Sequence, residues 1–328
     1  MPRLFKPSQS SRFRRFVRLA LFALGVACVG VLALLAWLLI PAIPDPAPGF
    51  LTRKGELVAA SETYRARFEE TTLIELTLHS SSGLEVALAL RVPLAASEPR
   101  PLLLLLGGHR TGRDAVRLFP DTKGAVIAAM SYPNTDNIDG QGPGLLLDLP
   151  EMRQALVDTT PAVLLALDYL LDQEYVDPGH VDLVGVSLGA FLVSIPGALD
   201  PRIGRVWLVH GAADPASVLS HQLRDHFAWP PMRRVAAEFL AAVLCVHHLK
   251  PERWVGRISP RPVIIVNARD DEALPSASIA ALHTAARAPV EIVWTEGPHV
   301  TPGRREIVDE LTQMILLEVT GNGTRSQE

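Results

Sequence analysis

Near the middle of the chain an apolar strand runs into a glycine-flanked serine and straight on into a helix. Val181-Asp182-Leu183-Val184 leads into Gly185-Val186-Ser187-Leu188-Gly189, and the apolar residues of Leu188–Ile195 continue at helical spacing before Pro196. The pentapeptide alone is a weak signal. With a strand before it and a helix after it, it describes a sharp turn that holds Ser187 in a strained backbone conformation. Positions 185 and 189 approach so closely in such a turn that side chains there would collide, and both are glycine. The turn lifts the serine hydroxyl above the sheet edge at a helix N-terminus, where the partial positive charge favours developing negative charge.

The surrounding chain supplies the sheet that this turn requires. Residues 72–79 and 85–92 read as an antiparallel pair joined by Ser80-Ser81-Ser82-Gly83. Residues 101–106, 125–130, 180–185, 205–210, 262–267 and 290–294 are further strand-like runs, and the first is apolar throughout, as suits a strand buried on both faces. Helical stretches separate them: one starting at Thr160-Pro161 and continuing over 162–171, then 188–195, 277–286 and 304–319. Strands alternating with helices imply an α/β architecture with a mostly parallel sheet covered on both faces. Residues 212–258 interrupt the alternation. Their strongest helical run is 232–249, and they are expected to form a small helical cap over the carboxyl edge of the sheet.

A serine hydroxyl needs a base to act as a nucleophile near neutral pH. Of ten histidines, His299 stands on the Gly297-Pro298 loop after the last strand, placed to reach back over the sheet edge. Such a base needs an acid to fix its tautomer. The stretch after strand 262–267 offers Asp270, Asp271 and Glu272, any of which is otherwise a solvated loop charge. The chain order serine, acid, histidine is that of a strand-turn-helix nucleophile.

On these residues the chain resembles the α/β-hydrolase superfamily, especially its dienelactone-hydrolase-like and prolyl-oligopeptidase-like branches, over roughly residues 72–320. In that family the acid loop often reads Gly-x-x-Asp-x-x-Val-Pro. The matching stretch here is Ala268-Arg269-Asp270-Asp271-Glu272-Ala273-Leu274-Pro275, so the resemblance implies Asp271 as the acid, with Asp270 as the alternative. It also implies an oxyanion hole from the backbone N–H groups of Leu188 and His109. Here Gly107-Gly108-His109-Arg110 departs from the family's His-Gly step, because Gly107 stands where the histidine is found. Gly108, Arg110 and Trp229 are candidate substrate contacts. Arg110 would meet an anionic group, and Trp229 belongs with Phe227, Phe239 and Trp254 to a set of cap aromatics that either line a pocket or simply pack the cap. The implied activity is hydrolysis of an ester or thioester through an acyl-enzyme, with no cofactor. The alternatives are a prolyl-oligopeptidase-type serine peptidase, an acyltransferase of the cell envelope, and a membrane-tethered binding protein without turnover.

Composition sets the remaining limits. The chain has 328 residues, enough for one large domain and an appendage, and its net charge of −4 gives no reason to expect a nucleic-acid partner. Its two cysteines, Cys28 and Cys245, offer no disulfide framework. Cys245-Val246-His247-His248 lacks the second spaced ligand pair of a metal site, so no metal is expected. Arg3, Lys6, Arg12, Arg14, Arg15 and Arg18 precede residues 19–40, which carry no charge and are long enough to cross a bilayer as a helix. A cleaved signal peptide would have an apolar region of about 7–15 residues followed by a small-residue site. Leu39-Ile40-Pro41-Ala42 is a poor match. The expectation is a single-pass membrane protein: a basic cytoplasmic tail over 1–18, an uncleaved anchor over 19–40, a linker over 41–71, an exported catalytic domain (periplasmic in a Gram-negative bacterium) and a flexible tail over 321–328. The expected substrate is a small or lipid-like acyl ester.

Overall fold

The computed structural model describes residues 9–39, 45–94, 98–108, 111–119, 121–135 and 148–321. It divides into two compact units, 1–43 and 44–328. In the first, α1 (Gln9–Leu39) is one uninterrupted helix of 31 residues that takes in nearly all of the uncharged run. Its apolar side chains are exposed wherever they are described, among them Leu19, Phe22, Leu24 and Leu32.

The second unit is built on a nine-stranded sheet in the order β1-β2-β3-β5-β4-β6-β7-β8-β9. The strands are β1 (Leu57–Arg67), β2 (Thr71–Ser80), β3 (Glu85–Pro93), β4 (Arg100–Leu106), β5 (Val126–Met130), β6 (Val176–Val186), β7 (Arg205–Val209), β8 (Val263–Ala268) and β9 (Val290–Thr295). The first three are antiparallel, β3 meets β5 antiparallel, and every pairing from β5 across to β9 is parallel. In β4, Leu102, Leu104 and Leu106 face one core layer while Leu103 and Leu105 face the other. That two-residue period is why the run is leucine at every position. Each such side chain fully withdrawn from water contributes roughly 1.5–3 kcal/mol.

Helices cover both faces. One layer holds α3 (Leu149–Leu171), α4 (Leu188–Leu192) and α5 (Ser194–Leu199). The other holds α10 (Arg305–Val319) and a short 3-10 stretch, Gly112–Leu118. Between β7 and β8 lie α6 (Pro215–Gln222), α7 (Pro230–Val243) and α8 (Pro251–Trp254), with α9 (Ser276–Ala285) between β8 and β9. α3 has the length and hydropathy of a membrane span, but 67% of its apolar window is buried in the body, so it serves as a core helix.

Several sequence expectations change here. α3 starts at Leu149, so Thr160 is not its cap, and Pro161 lies inside it. The missing N–H and the ring of a mid-helix proline are tolerated because Asp158, Thr159, Thr160 and Pro161 are all buried against the body, and packing outweighs propensity. The helix after Ser187 does not stop before Pro196. It breaks at Val193 and resumes as α5, with Pro196 in the first turn, where no N–H is needed. α7 ends at Val243 rather than 249, because Cys245 turns into the left-handed region with φ 57°.

The linker expected over 41–71 is largely structured. α2 (Ala47–Lys54) packs Phe50 into the core against Trp254. Arg53 forks onto the Asp158 carboxylate at 2.8 and 2.7 Å, and Lys54 reaches Asp168 at 2.5 Å. β1 then adds an outer strand to β2. Residues 1–8, 41–44 and 322–328 of the expected tail and linker segments lie outside the described residues.

Candidate active site

Four consecutive strands of the parallel half end at one edge, and each delivers a residue to the same place. Ser187 follows β6, His210 follows β7, Asp271 follows β8 and His299 follows β9. A parallel sheet makes this geometry natural, since all carboxyl ends point one way.

Ser187 sits at φ 54° and ψ −112°, immediately before α4. The strain is held by close packing of the turn. A Cβ on Gly185 would lie 2.5 Å from the Gly189 carbonyl oxygen, and one on Gly189 would lie 2.0 Å from that of Leu106. The Ser187 N–H donates to the Val209 carbonyl at 2.8 Å, tying the turn to the neighbouring strand. Ser187 Oγ lies 2.9 Å from His299 Nε2, and His299 Nδ1 lies 2.7 Å from Asp271 Oδ2. The Asp271 side chain is 1% exposed. Its other oxygen accepts the N–H groups of Ala273 and Leu274, both at 2.9 Å. Asp270 is exposed and contributes only backbone to the loop.

Leu188 opens α4, so its N–H belongs to the first turn, which has no partner four residues back. Gly108 packs against Ser187: a Cβ there would be 3.5 Å from Ser187 Cβ. His109 and Arg110 lie outside the described residues. Trp229 is at the cap's surface, 60% exposed, in the extended conformation usual before proline, and it does not line the cavity beside Leu188. Phe227 and Phe239 are exposed as well, while Trp254 is buried against α2. The cap aromatics therefore do not form a pocket together.

Two further residues support the histidine. Glu272 was read as a solvated loop charge, yet its Oε2 accepts the backbone N–H of His299 at 2.9 Å and its Oε1 pairs with Arg304 at 2.8 Å. Arg304 also donates to the His299 carbonyl at 2.5 Å. Burial opposes ionisation of Glu272, but the bond from His299 N–H and the pair with Arg304 outweigh it and hold the carboxyl at about 2. The sequence alone puts His210 at the end of a strand. It instead turns out of the sheet at φ 51°, fully buried, with its ring edge-on to His299 at 5.3 Å. Its Nδ1 accepts the Val300 N–H at 2.9 Å and lies 3.9 Å from Asp271 Oδ2. Among the described residues its Nε2 has no hydrogen-bond partner. Burial, then the nearby His299, pushes its pKa down to about 4, so it is neutral at pH 7. A histidine placed directly after an apolar strand of the parallel set was the available signal.

His210, Asp271 and His299 bring ligand-type atoms within 4.8 Å of one another. Those atoms are already committed: Asp271 and His299 hold each other, and His210 Nδ1 takes the Val300 N–H. The arrangement suits proton transfer from a serine better than a cation.

No protein-family model matches the sequence. No curated protein matches it significantly. Solved structures do resemble it. Acetyl xylan esterase 1 from Thermoanaerobacterium sp. JW/SL YS485 superposes with a TM-score of 0.61 at 15% identity, over 84% of this chain and 94% of that one. An acetyl xylan esterase from Paenibacillus sp. R4 gives 0.60 at 15%, over 82% and 92%. The chain has the α/β-hydrolase fold. A third such structure, the glucuronoyl esterase from Solibacter usitatus, gives 0.52 at 15% identity over 84% and 91%. At these identities the likeness establishes the α/β-hydrolase scaffold, and the chemistry rests on this chain's own site.

Proposed function

We propose that the protein is a serine hydrolase acting on carboxylic esters through a covalent acyl-enzyme. The observation that carries this reading is the unbroken path from Ser187 Oγ through His299 to Asp271, at 2.9 and 2.7 Å. Ser187 attacks the ester carbonyl while His299 Nε2 takes its proton. Asp271 stabilises the resulting imidazolium. The Leu188 N–H, at the start of α4, is a donor for the tetrahedral oxyanion, and the family resemblance implies His109 as the second. His299 then protonates the departing alcohol. In the second half it draws a proton from water, which attacks the acyl carbonyl and frees Ser187.

Residues 19–40 anchor the protein in a membrane in this reading, with the basic tail cytoplasmic and the α/β body exported. The continuous α1 helix and its described exposed apolar side chains support the anchor, and the basic residues before position 19 support a cytoplasmic N-terminus. The test of the chemistry is labelling of the full chain by a fluorophosphonate. Wild type should be labelled, and Ser187→Ala, folded by circular dichroism, should not. Undiminished labelling of the variant removes Ser187 from the role.

A further inference from the structure

A cavity of about 500 Å³ opens beside the nucleophile turn. Its apolar wall is made by Leu188, Phe191 and Leu192 of α4, Val218 and Leu219 of α6, and Leu244 after α7. On the other side it meets Thr111 and Gly112, just past the segment that passes Ser187 at Gly108. Its described walls come from residues 111–249, and none comes from the loops that carry Asp271 and His299.

That placement separates the two halves of an ester. The carbonyl oxygen lies at the Leu188 N–H, at the start of α4. The leaving alcohol must lie toward His299, which protonates it. The cavity is walled by Leu188 and α4 and takes no residue from the His299 loop, so the group it receives is the one that stays on Ser187. We infer that this cavity is the acyl site and that the enzyme prefers medium-chain aliphatic acyl esters to acetyl esters. The inference rests on the serine-hydrolase reading.

An acetyl group offers a single methyl to a wall of six leucine, valine and phenylalanine side chains. A methylene takes about the 30 Å³ share of a water molecule, so a chain of about eight carbons is well within the space. Burial of each added methylene in an apolar pocket should raise kcat/KM by up to about fourfold until the cavity is filled.

The experiment uses the full chain in detergent, with active sites first counted by fluorophosphonate titration. Rates are then measured on p-nitrophenyl acetate, butyrate, octanoate and laurate, and on ethyl and octyl acetate. The expected result is a kcat/KM for octanoate more than tenfold above that for acetate, with no comparable gain from octyl over ethyl acetate. Leu219→Trp, which fills the cavity from a partly exposed helix position, should cut the octanoate-to-acetate ratio at least tenfold. The wild-type series stands alone if that variant does not fold. Full labelling with acetate preferred to octanoate overturns the acyl site and leaves the hydrolase reading intact. A gain confined to the alcohol chain overturns the assignment of the cavity to the acyl half. Absence of both labelling and turnover removes the hydrolase reading and this inference with it.

Discussion

The carboxylate of Glu272 accepts the backbone N–H of His299 at 2.9 Å, while its neighbour Asp271 holds the ring of the same residue at 2.7 Å. Two adjacent acids thus fix one histidine in different ways. Asp271 sets the ring's tautomer, and Glu272 with Arg304 sets where the backbone stands. Loosening that backbone moves Nε2 relative to Ser187, and small misplacements are costly in rate. Glu272→Ala should lower kcat for ester hydrolysis by about three- to thirtyfold, with KM little changed. Glu272→Gln, which keeps the acceptor, should lose less. Asp271→Asn should cost roughly a thousandfold or more. Steady-state kinetics on one ester distinguishes them, and wild-type kcat in Glu272→Ala would remove its positioning role.

His210 makes the body acid-sensitive. Its pKa in the fold is about 4, below the 6.5 of a free histidine. The unfolded chain therefore binds a proton below about pH 6.5 that the folded chain refuses until about pH 4. Stability should fall across that window as pH drops, by up to about 3 kcal/mol from this group. Urea denaturation at pH 7.5, 5.5 and 4.5 measures it. His210→Gln should lose less stability on acidification than wild type, and an identical pH dependence in the two proteins would assign the sensitivity elsewhere.

Gly189 has no room for a side chain, since a Cβ would stand 2.0 Å from the Leu106 carbonyl oxygen. Gly189→Ala should therefore lower the thermal midpoint by ten degrees or more, or prevent soluble expression, and should abolish fluorophosphonate labelling. This is a backbone clash, which neighbouring side chains cannot relieve by changing rotamer. A variant with near-native melting and labelling would show that the turn is looser than described.

Asp158 is fully buried, and Arg53 is its charged partner, with Gln154 adding a bond at 2.7 Å. Arg53→Met should destabilise the body by about 3 kcal/mol, because it leaves a carboxylate buried without a cation. Combining it with Asp158→Leu should recover much of that loss. Chemical denaturation of both variants tests this, and an additive double variant would show that the two residues do not act as a pair.

The chemistry-bearing loops were legible in the sequence because each follows an apolar strand whose character is set by burial on both faces. Such strands announce themselves, and the residues just after them fall at one edge by topology. β1 was not legible. It lies at the sheet's border with nearly every side chain exposed, so no buried face imposes alternation on Leu57–Arg67. α3 was half legible, since Pro161 looks like a start in sequence and only tertiary packing shows that the helix runs through it. The resemblance singles out Asp271, but the backbone contact of Glu272 was invisible. Three consecutive acids look alike until the loop's turn decides which points inward.

The Arg53–Asp158 lock has a practical corollary for anyone preparing the second unit alone. A shortened chain that begins at Leu57 keeps every strand but strips the guanidinium from the middle of α3, along with Phe50 from its seat on Trp254. One that begins at Asp45 retains both. The minimal cooperative unit thus starts a full helix earlier than the sheet does.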